Sequence, residues 1–219
     1  MISPTLACLD YLNIGEQIAA MDHAKVDFYH IDIMDGHYVP NLCLNFDMLR
    51  QIRAVSKTPM DVHLMVTNPM SYLDALVKLK VEYACCHPDA SGDTAQFLKA
   101  LKENGIGAGL ALSPQDDISC LEPYLEQLDY VLLLFVRPGF AGQAFKPEVL
   151  EKLRQLDALR KEKGLRFWVQ ADGGIGWDNV GQVVEAGADS IVAGVFAVFG
   201  QPQGLGPACV GFKRLTERE

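Results

Sequence analysis

The sequence has no run of about 18 apolar residues, the length that crosses a bilayer, and its start, MISPTLACLD, lacks the basic residues and apolar stretch of a secretion signal. A soluble, cytoplasmic protein without membrane attachment is expected. Positive charge is scarce: 19 Lys and Arg stand against 28 Asp and Glu, a formal net charge of −9. Such a chain repels a phosphate backbone, which excludes nucleic acid as a partner. The six cysteines (Cys8, Cys43, Cys85, Cys86, Cys120, Cys209) form no C-x-x-C pair. Buried free thiols are therefore expected, not disulfides or a thiolate metal centre. Linkers, low-complexity tracts and charge blocks are missing as well, so residues 1–219 read as a single domain. Its hydrophobic fraction of 49% and charged fraction of 21% suit one well-packed core.

Eight short runs rich in apolar, β-branched or aromatic residues recur, at 3–9, 26–33, 59–66, 81–87, 107–113, 130–136, 166–172 and 189–195. Between them lie segments of helical spacing: Phe46, Leu49 and Ile52; Leu73, Leu76, Val77 and Leu79; Phe97, Leu98 and Leu101; Val149, Leu153, Leu156 and Leu159. Asn104-Gly105 and Gly187 fall where helices should stop, and Pro69, Pro147 and Pro207 where helices should start. Strand and helix thus alternate, with about 27 residues for each of eight units, which is compact for a parallel strand and its crossover. The expected fold is α/β, a single-domain (β/α)8 TIM barrel. A doubly wound open sheet is the rival, but no G-x-G-x-x-G follows the first strand. In a barrel, chemistry belongs at the C-terminal ends of the strands.

Three of those ends carry ligand-forming side chains. His30, Asp32 and Met34, spaced by two, share one side of the second strand; His63 and Met65 do the same at the end of the third, with Asp61 two residues before His63; Asp172 precedes a diglycine at the end of the seventh. A strand-end His or Asp alone usually anchors a loop. Two imidazoles and two carboxylates gathered at three ends also suit Zn²⁺, or Fe²⁺, Co²⁺ or Mn²⁺, and the residues by themselves leave both readings open. Glycine-rich loops follow the last three strands: RPGFAGQAF at 137–145, ADGGIG at 171–176 and VAGVF at 192–196. Backbone amides in such loops can hold phosphate without a cationic cluster. No lysine ends a strand in these runs, which argues against a Schiff-base aldolase. His23 should be solvated, Trp168 and Trp177 should pack the barrel and its seventh helix, and Asp10 should cap the first helix near Asn13. His87 is expected either to line the pocket or to cap a loop.

In that order, HIDIMDGHYVPN, DVHLMV, RPGFAGQAF and ADGGI resemble the ribulose-phosphate 3-epimerase family, and the likeness runs from SPTLACLD to VAGVF. SPTLACLDY, VPNLCLNF, HLMVTNPMSYL and CHPDA look closest to its D-allulose-6-phosphate 3-epimerase branch. The resemblance implies a divalent ion, usually zinc, on His30, Asp32, His63 and Asp172, with Asp32 and Asp172 also the acid–base pair that inverts C3 of a phosphorylated ketose. It further implies substrate contacts from Thr5, Met34, Met65 and His87, phosphate held at Gly142, Gly173, Gly174, Gly194 and Val195, and a homo-oligomer. His37 and Asn41 fall within the first motif, as structural residues or as contacts. Four positions depart from the family's pattern: Leu134 replaces a methionine, Phe135 a threonine, Arg137 an acidic residue and Val195 a serine. Two other readings stand beside this one. A phosphate-binding lyase barrel would need D-x-K-x-x-D, yet Ile33, Met34 and Asp35 follow Asp32 with no lysine. A non-catalytic sugar-phosphate sensor would have no use for an intact metal set.

Overall fold

The structure, a computed structural model, describes residues 1–217. Eight parallel strands form the ring: β1 (Ile2–Pro4), β2 (Tyr29–Asp35), β4 (Met60–Met65), β5 (Tyr83–Cys86), β6 (Gly107–Leu112), β7 (Tyr130–Leu134), β8 (Trp168–Asp172) and β9 (Ser190–Ala193). The two-residue β3 (Leu42–Cys43) runs antiparallel to β2. The hydrogen-bonded order is β1-β9-β8-β7-β6-β5-β4-β2-β3, and a parallel bridge between Thr5 and His30 closes the ring. Closure removes the free edges that an open sheet would expose.

Helices α1 (Ile14–His23), α2 (Phe46–Val55), α3 (Leu73–Leu79), α4 (Thr94–Glu103), α5 (Val149–Glu162), α6 (Val180–Glu185) and α7 (Leu205–Leu215) surround the ring. Side-chain caps start α2 and α4: Asn45 accepts from the Met48 amide and Asp93 from the Gln96 amide. Each helix then buries an apolar stripe. On α4 it is Phe97, Leu98 and Leu101, each worth roughly 1.5 to 3 kcal/mol in transfer free energy. Between β6 and β7 the expected α-helix is instead a 3₁₀ helix, Ile118–Gln127, with Pro123 inside it. Proline has no N–H for an i to i−4 bond, and the tighter winding tolerates that loss.

The first strand is shorter than its apolar run. Thr5 Oγ1 accepts from the Ala7 amide, and Leu6–Cys8 winds into a 3₁₀ turn. Strand β3 escaped the pattern because two residues carry no alternation. Asp10 does not cap α1: it accepts from the Leu12 amide and from Asn13 Nδ2, closing the turn ahead of the helix. His23 is exposed, as expected.

Much of the acidic excess works at the N-terminal face. Asp27, Glu82, Asp129 and Asp189 accept from the amides of Ile2, Met60, Ala108 and Val169, at 2.8, 2.7, 2.8 and 2.8 Å. Four strand starts are thereby pinned to the approach of a neighbouring strand. Just inside, Tyr130 and Trp168 stack at 4.8 Å, with Phe28 and Tyr83 packed around Trp168. A Cβ on Gly109 would fall 2.2 Å from Tyr130 Cε1, so only glycine admits that ring. Trp177 lies outside, against Phe212 of α7, and donates to the Ala197 carbonyl at 2.9 Å. All six cysteines are free. Among the described residues no helix is long and apolar enough to cross a membrane.

Candidate active site

Register places the site. Across the β2–β4 pair, His30 stands beside Asp61, Asp32 beside His63 and Met34 beside Met65. Alternation along each strand then turns both sets of side chains into the barrel. Asp172 ends β8, beside Leu134 of β7. Around the ring β2 and β8 are separated by β1 and β9 on one side and by four strands on the other, so the two aspartates converge from well-separated directions.

One ligand atom each from His30, His63 and Asp172 lies within 4.8 Å of the others. Asp32 is not part of that three-residue cluster, but its Oδ1 lies 3.4 Å from His30 Nε2 and 3.3 Å from His63 Nδ1, while Thr5 Oγ1 donates to Asp32 Oδ2 at 2.7 Å. His30 Nε2 is buried yet completes no hydrogen bond. A buried, unpaired imidazole nitrogen facing carboxylates is costly unless something binds it, and this donor set fits a divalent cation.

Asp61 is the functional residue that sequence reasoning passed over. Fully buried beneath the site, it accepts from Ser3 Oγ at 2.6 Å and Gln170 Nε2 at 3.0 Å, and pairs with His30 Nδ1. That contact puts the ring proton on Nδ1 and aims Nε2 at the site. The signal was present, since Asp61 precedes His63 by two.

The two candidate acid–base groups are driven apart. Burial opposes ionisation of Asp32, but the nearby charge of His30, with the hydrogen bond from His63 assisting, holds it well below the usual carboxylate range. Asp172 is pushed up to about 7 by burial; His30 opposes this, while the negative charges of Asp32 and Asp61 add to it. Burial disfavours the His30 cation as well, yet Asp61 and Asp32 together lift it well above the ordinary histidine value. Burial lowers His63, and lowers His87 further.

Above these groups opens a funnel of about 650 Å³, its mouth included, lined by Thr5, Asp32, Met34, His63, Met65, Leu134 and Asp172 on one side and by the three glycine loops on the other. Gly173 and Gly174 adopt φ of +109° and +67°, and a Cβ on Gly174 would lie 2.5 Å from the Phe145 amide nitrogen. The close approach of these two loops requires glycine there. Gln143 Nε2 donates to the carbonyls of Arg137 and Phe140, at 2.7 and 2.8 Å, and closes the first loop on itself.

A family model described as "Ribulose-phosphate 3 epimerase family" matches residues 1–199. The chain belongs to this family. A ribulose-phosphate 3-epimerase of Synechocystis sp. is 39% identical over 204 residues, covering 92% of this chain and 88% of that protein. The ribulose-phosphate 3-epimerase of Escherichia coli is 38% identical over 203 residues, covering 92% and 90%. Family membership makes the chain an enzyme of the isomerase class. Among solved structures, the tryptophan synthase α-subunit of Legionella pneumophila superimposes with a TM-score of 0.66 at 13% identity, covering 99% of this chain and 92% of that one. A thiamine phosphate pyrophosphorylase of Pyrococcus furiosus gives 0.65 at 15%, covering 98% and 94%. These likenesses carry the barrel fold alone.

Within this epimerase-family barrel, Thr5, Met34, Met65, Gly142, Gly173, Gly174, Gly194 and Val195 all line the funnel, as do the departing Leu134 and Arg137. His87 does not. It is fully buried behind His63, with the two Nε2 atoms 2.9 Å apart. Phe135 also points away from the funnel, stacking on Phe145 at 4.8 Å, so the residue in the threonine's place anchors a loop. Asn41 Nδ2 donates to the Gly139 carbonyl at 2.7 Å, and the exposed His37 gives its amide to Asp35 at 2.8 Å. Both hold loops. Asp35 also accepts from the Tyr38 and Thr67 amides, which ties the β2 loop to the end of β4.

Proposed function

We propose that the chain is a metal-dependent ketose-phosphate 3-epimerase in which Asp32 and Asp172 exchange protons with C3 from opposite faces of the substrate. The observation that carries this reading is the pair itself: Asp32, buried at the end of β2, and Asp172, half-buried at the end of β8, face one funnel, and in the metal-free chain the first is held ionised and the second is pushed up to about 7. Such a pair offers a base and an acid at neutral pH.

His30, Asp32, His63 and Asp172 would hold the divalent ion, with Zn²⁺, Fe²⁺, Co²⁺ and Mn²⁺ all suited to these donors. When bound it supplies Lewis-acid stabilisation of the charge that builds on the ketose oxygens as the C3 proton leaves. The chain's own residues do the rest. The ionised aspartate takes the C3 proton, the substrate flattens into an enediolate, and the protonated aspartate delivers a proton to the other face. After product leaves, the base releases the proton it took to solvent and the spent acid takes one up, which resets the pair. Thr5 Oγ1 fixes the Asp32 carboxylate by its hydrogen bond. Met34, Met65 and Leu134 form an apolar cap that keeps water from the intermediate. Amides at Gly142, Gly173, Gly174, Gly194 and Val195 would take the phosphate.

The substrate class is a phosphorylated ketose: D-ribulose 5-phosphate and D-xylulose 5-phosphate, or D-allulose 6-phosphate and D-fructose 6-phosphate. The relatives' names favour the pentulose, and the SPTLACLDY, VPNLCLNF, HLMVTNPMSYL and CHPDA stretches favour the hexulose. Turnover measured on both pairs with metal-loaded protein decides between them. Activity on neither would refute the reading. Assembly into a homo-oligomer belongs to the same proposal and is read from the mass in solution.

A further inference from the structure

We infer that His87 is a positioning residue for His63, holding its ring so that Nδ1 presents a lone pair to the site it shares with His30, Asp32 and Asp172. The inference rests on the metal-dependent reading above. His87 stands just beyond β5, the strand beside β4, and its Nε2 meets His63 Nε2 at 2.9 Å. Two ring nitrogens at that distance share one proton, one donating and the other accepting. In the metal-free chain His63 Nδ1 donates to the ionised Asp32 Oδ1 at 3.3 Å, so binding an ion there requires the ring to change tautomer. For Nδ1 to act as a ligand, the His63 proton must sit on Nε2, and a buried N–H there needs an acceptor. His87 Nε2 is placed to be that acceptor.

The arrangement has a cost that a purely space-filling residue would avoid. With Nε2 accepting, His87 carries its own proton on Nδ1, which is buried and has no partner among the described residues. A leucine would fill the volume without burying an unpaired polar atom. The ring is held from its other side by Tyr38, at 4.9 Å between centroids, whose hydroxyl donates to Asp89 at 2.7 Å. His87 is thus fixed between the β2 loop and the β5 end with one nitrogen aimed at His63. The two histidines therefore have unlike supports: a carboxylate, Asp61, behind His30, and an imidazole behind His63.

The test uses the full chain, His87→Leu and His87→Gln, with Zn²⁺ affinity measured by competition against a chromogenic chelator and ligand geometry by the visible spectrum of the Co²⁺-loaded protein. Loss of an outer partner of this kind costs about 10- to 100-fold in metal affinity. His87→Leu should show that loss and an altered Co²⁺ spectrum. Glutamine reaches the Nε2 position and should restore both readouts. If the leucine variant does not fold, His87→Asn, too short to reach His63, carries the same expected loss. Unchanged Zn²⁺ affinity and Co²⁺ spectrum in His87→Leu, or equal losses in leucine and glutamine variants, would overturn the inference alone. Failure of the parent chain to bind either ion would overturn the metal-dependent reading and this inference with it.

Discussion

Replacing Asp172 by asparagine should stabilise the metal-free protein while removing its activity. Asp172 is lifted from an ordinary value of 3.8 to about 7, so the folded chain keeps a proton that the unfolded chain releases. A raised carboxylate favours the folded state while both forms are protonated, and this advantage is lost as pH rises from about 4 through 7. At ~1.4 kcal/mol per pH unit, the ceiling is about 4 kcal/mol at pH 8. Asparagine is neutral throughout and escapes it. Urea unfolding in the presence of a chelator, at steps from pH 4 to 8, gives the stability difference between variant and parent. It should be near zero at pH 4 and grow to a few kcal/mol in favour of Asp172→Asn by pH 8. A difference that does not change with pH would refute the assignment of a strained, protonated Asp172, and with it the acid half of the proposed pair.

Three further substitutions probe the supports around this pair. Asp61→Asn opens the buried pair with His30 and turns an amide toward Ser3 and Gln170; the expected loss of about 3 to 5 kcal/mol lowers Tm by roughly 6 to 20 °C in calorimetry. Gly174→Ala forces a Cβ to within 2.5 Å of the Phe145 amide nitrogen at a φ of +67°, which should separate the two loops and raise KM for a ketose phosphate about tenfold, equivalent to ~1.4 kcal/mol, while metal affinity stays unchanged. Val195→Ser adds one neutral donor where phosphate is proposed to sit, worth about 0.5 to 1.5 kcal/mol, and should lower KM roughly 2- to 12-fold in steady-state assays.

The elements that could be read from the chain were those whose pattern repeats. Eight apolar runs and the stripes of α2, α3, α4 and α5 gave the barrel, because period-2 and period-3.6 burial is written directly into residue order. Elements set by one side chain or by two residues were not legible. The Thr5 cap cuts β1 short, Pro123 winds the fifth crossover into a 3₁₀ helix, and β3 is too brief to show alternation.

Spacing by two likewise gathered His30, Asp32 and His63 on the inner face shared by β2 and β4. It could not say which neighbour orients which ring. Asp61 and His87 differ from ligands only in depth, and depth depends on register and on what packs behind: Asp61 sits opposite His30 and below the funnel, and His87 lies behind His63 beneath Tyr38. The departing residues split for the same reason. Leu134 and Val195 face the funnel, whereas Phe135, one residue on from Leu134, turns outward onto Phe145.

The most direct test of the account is hydrogen exchange at C3. The metal-loaded protein is incubated in deuterated water with D-ribulose 5-phosphate and, separately, with D-allulose 6-phosphate, and the recovered sugar is analysed by NMR. The account predicts solvent deuterium at C3 of at least one of them together with its C3 epimer, and neither product with Asp172→Asn. Absence of C3 exchange on both sugars at full metal loading would contradict it.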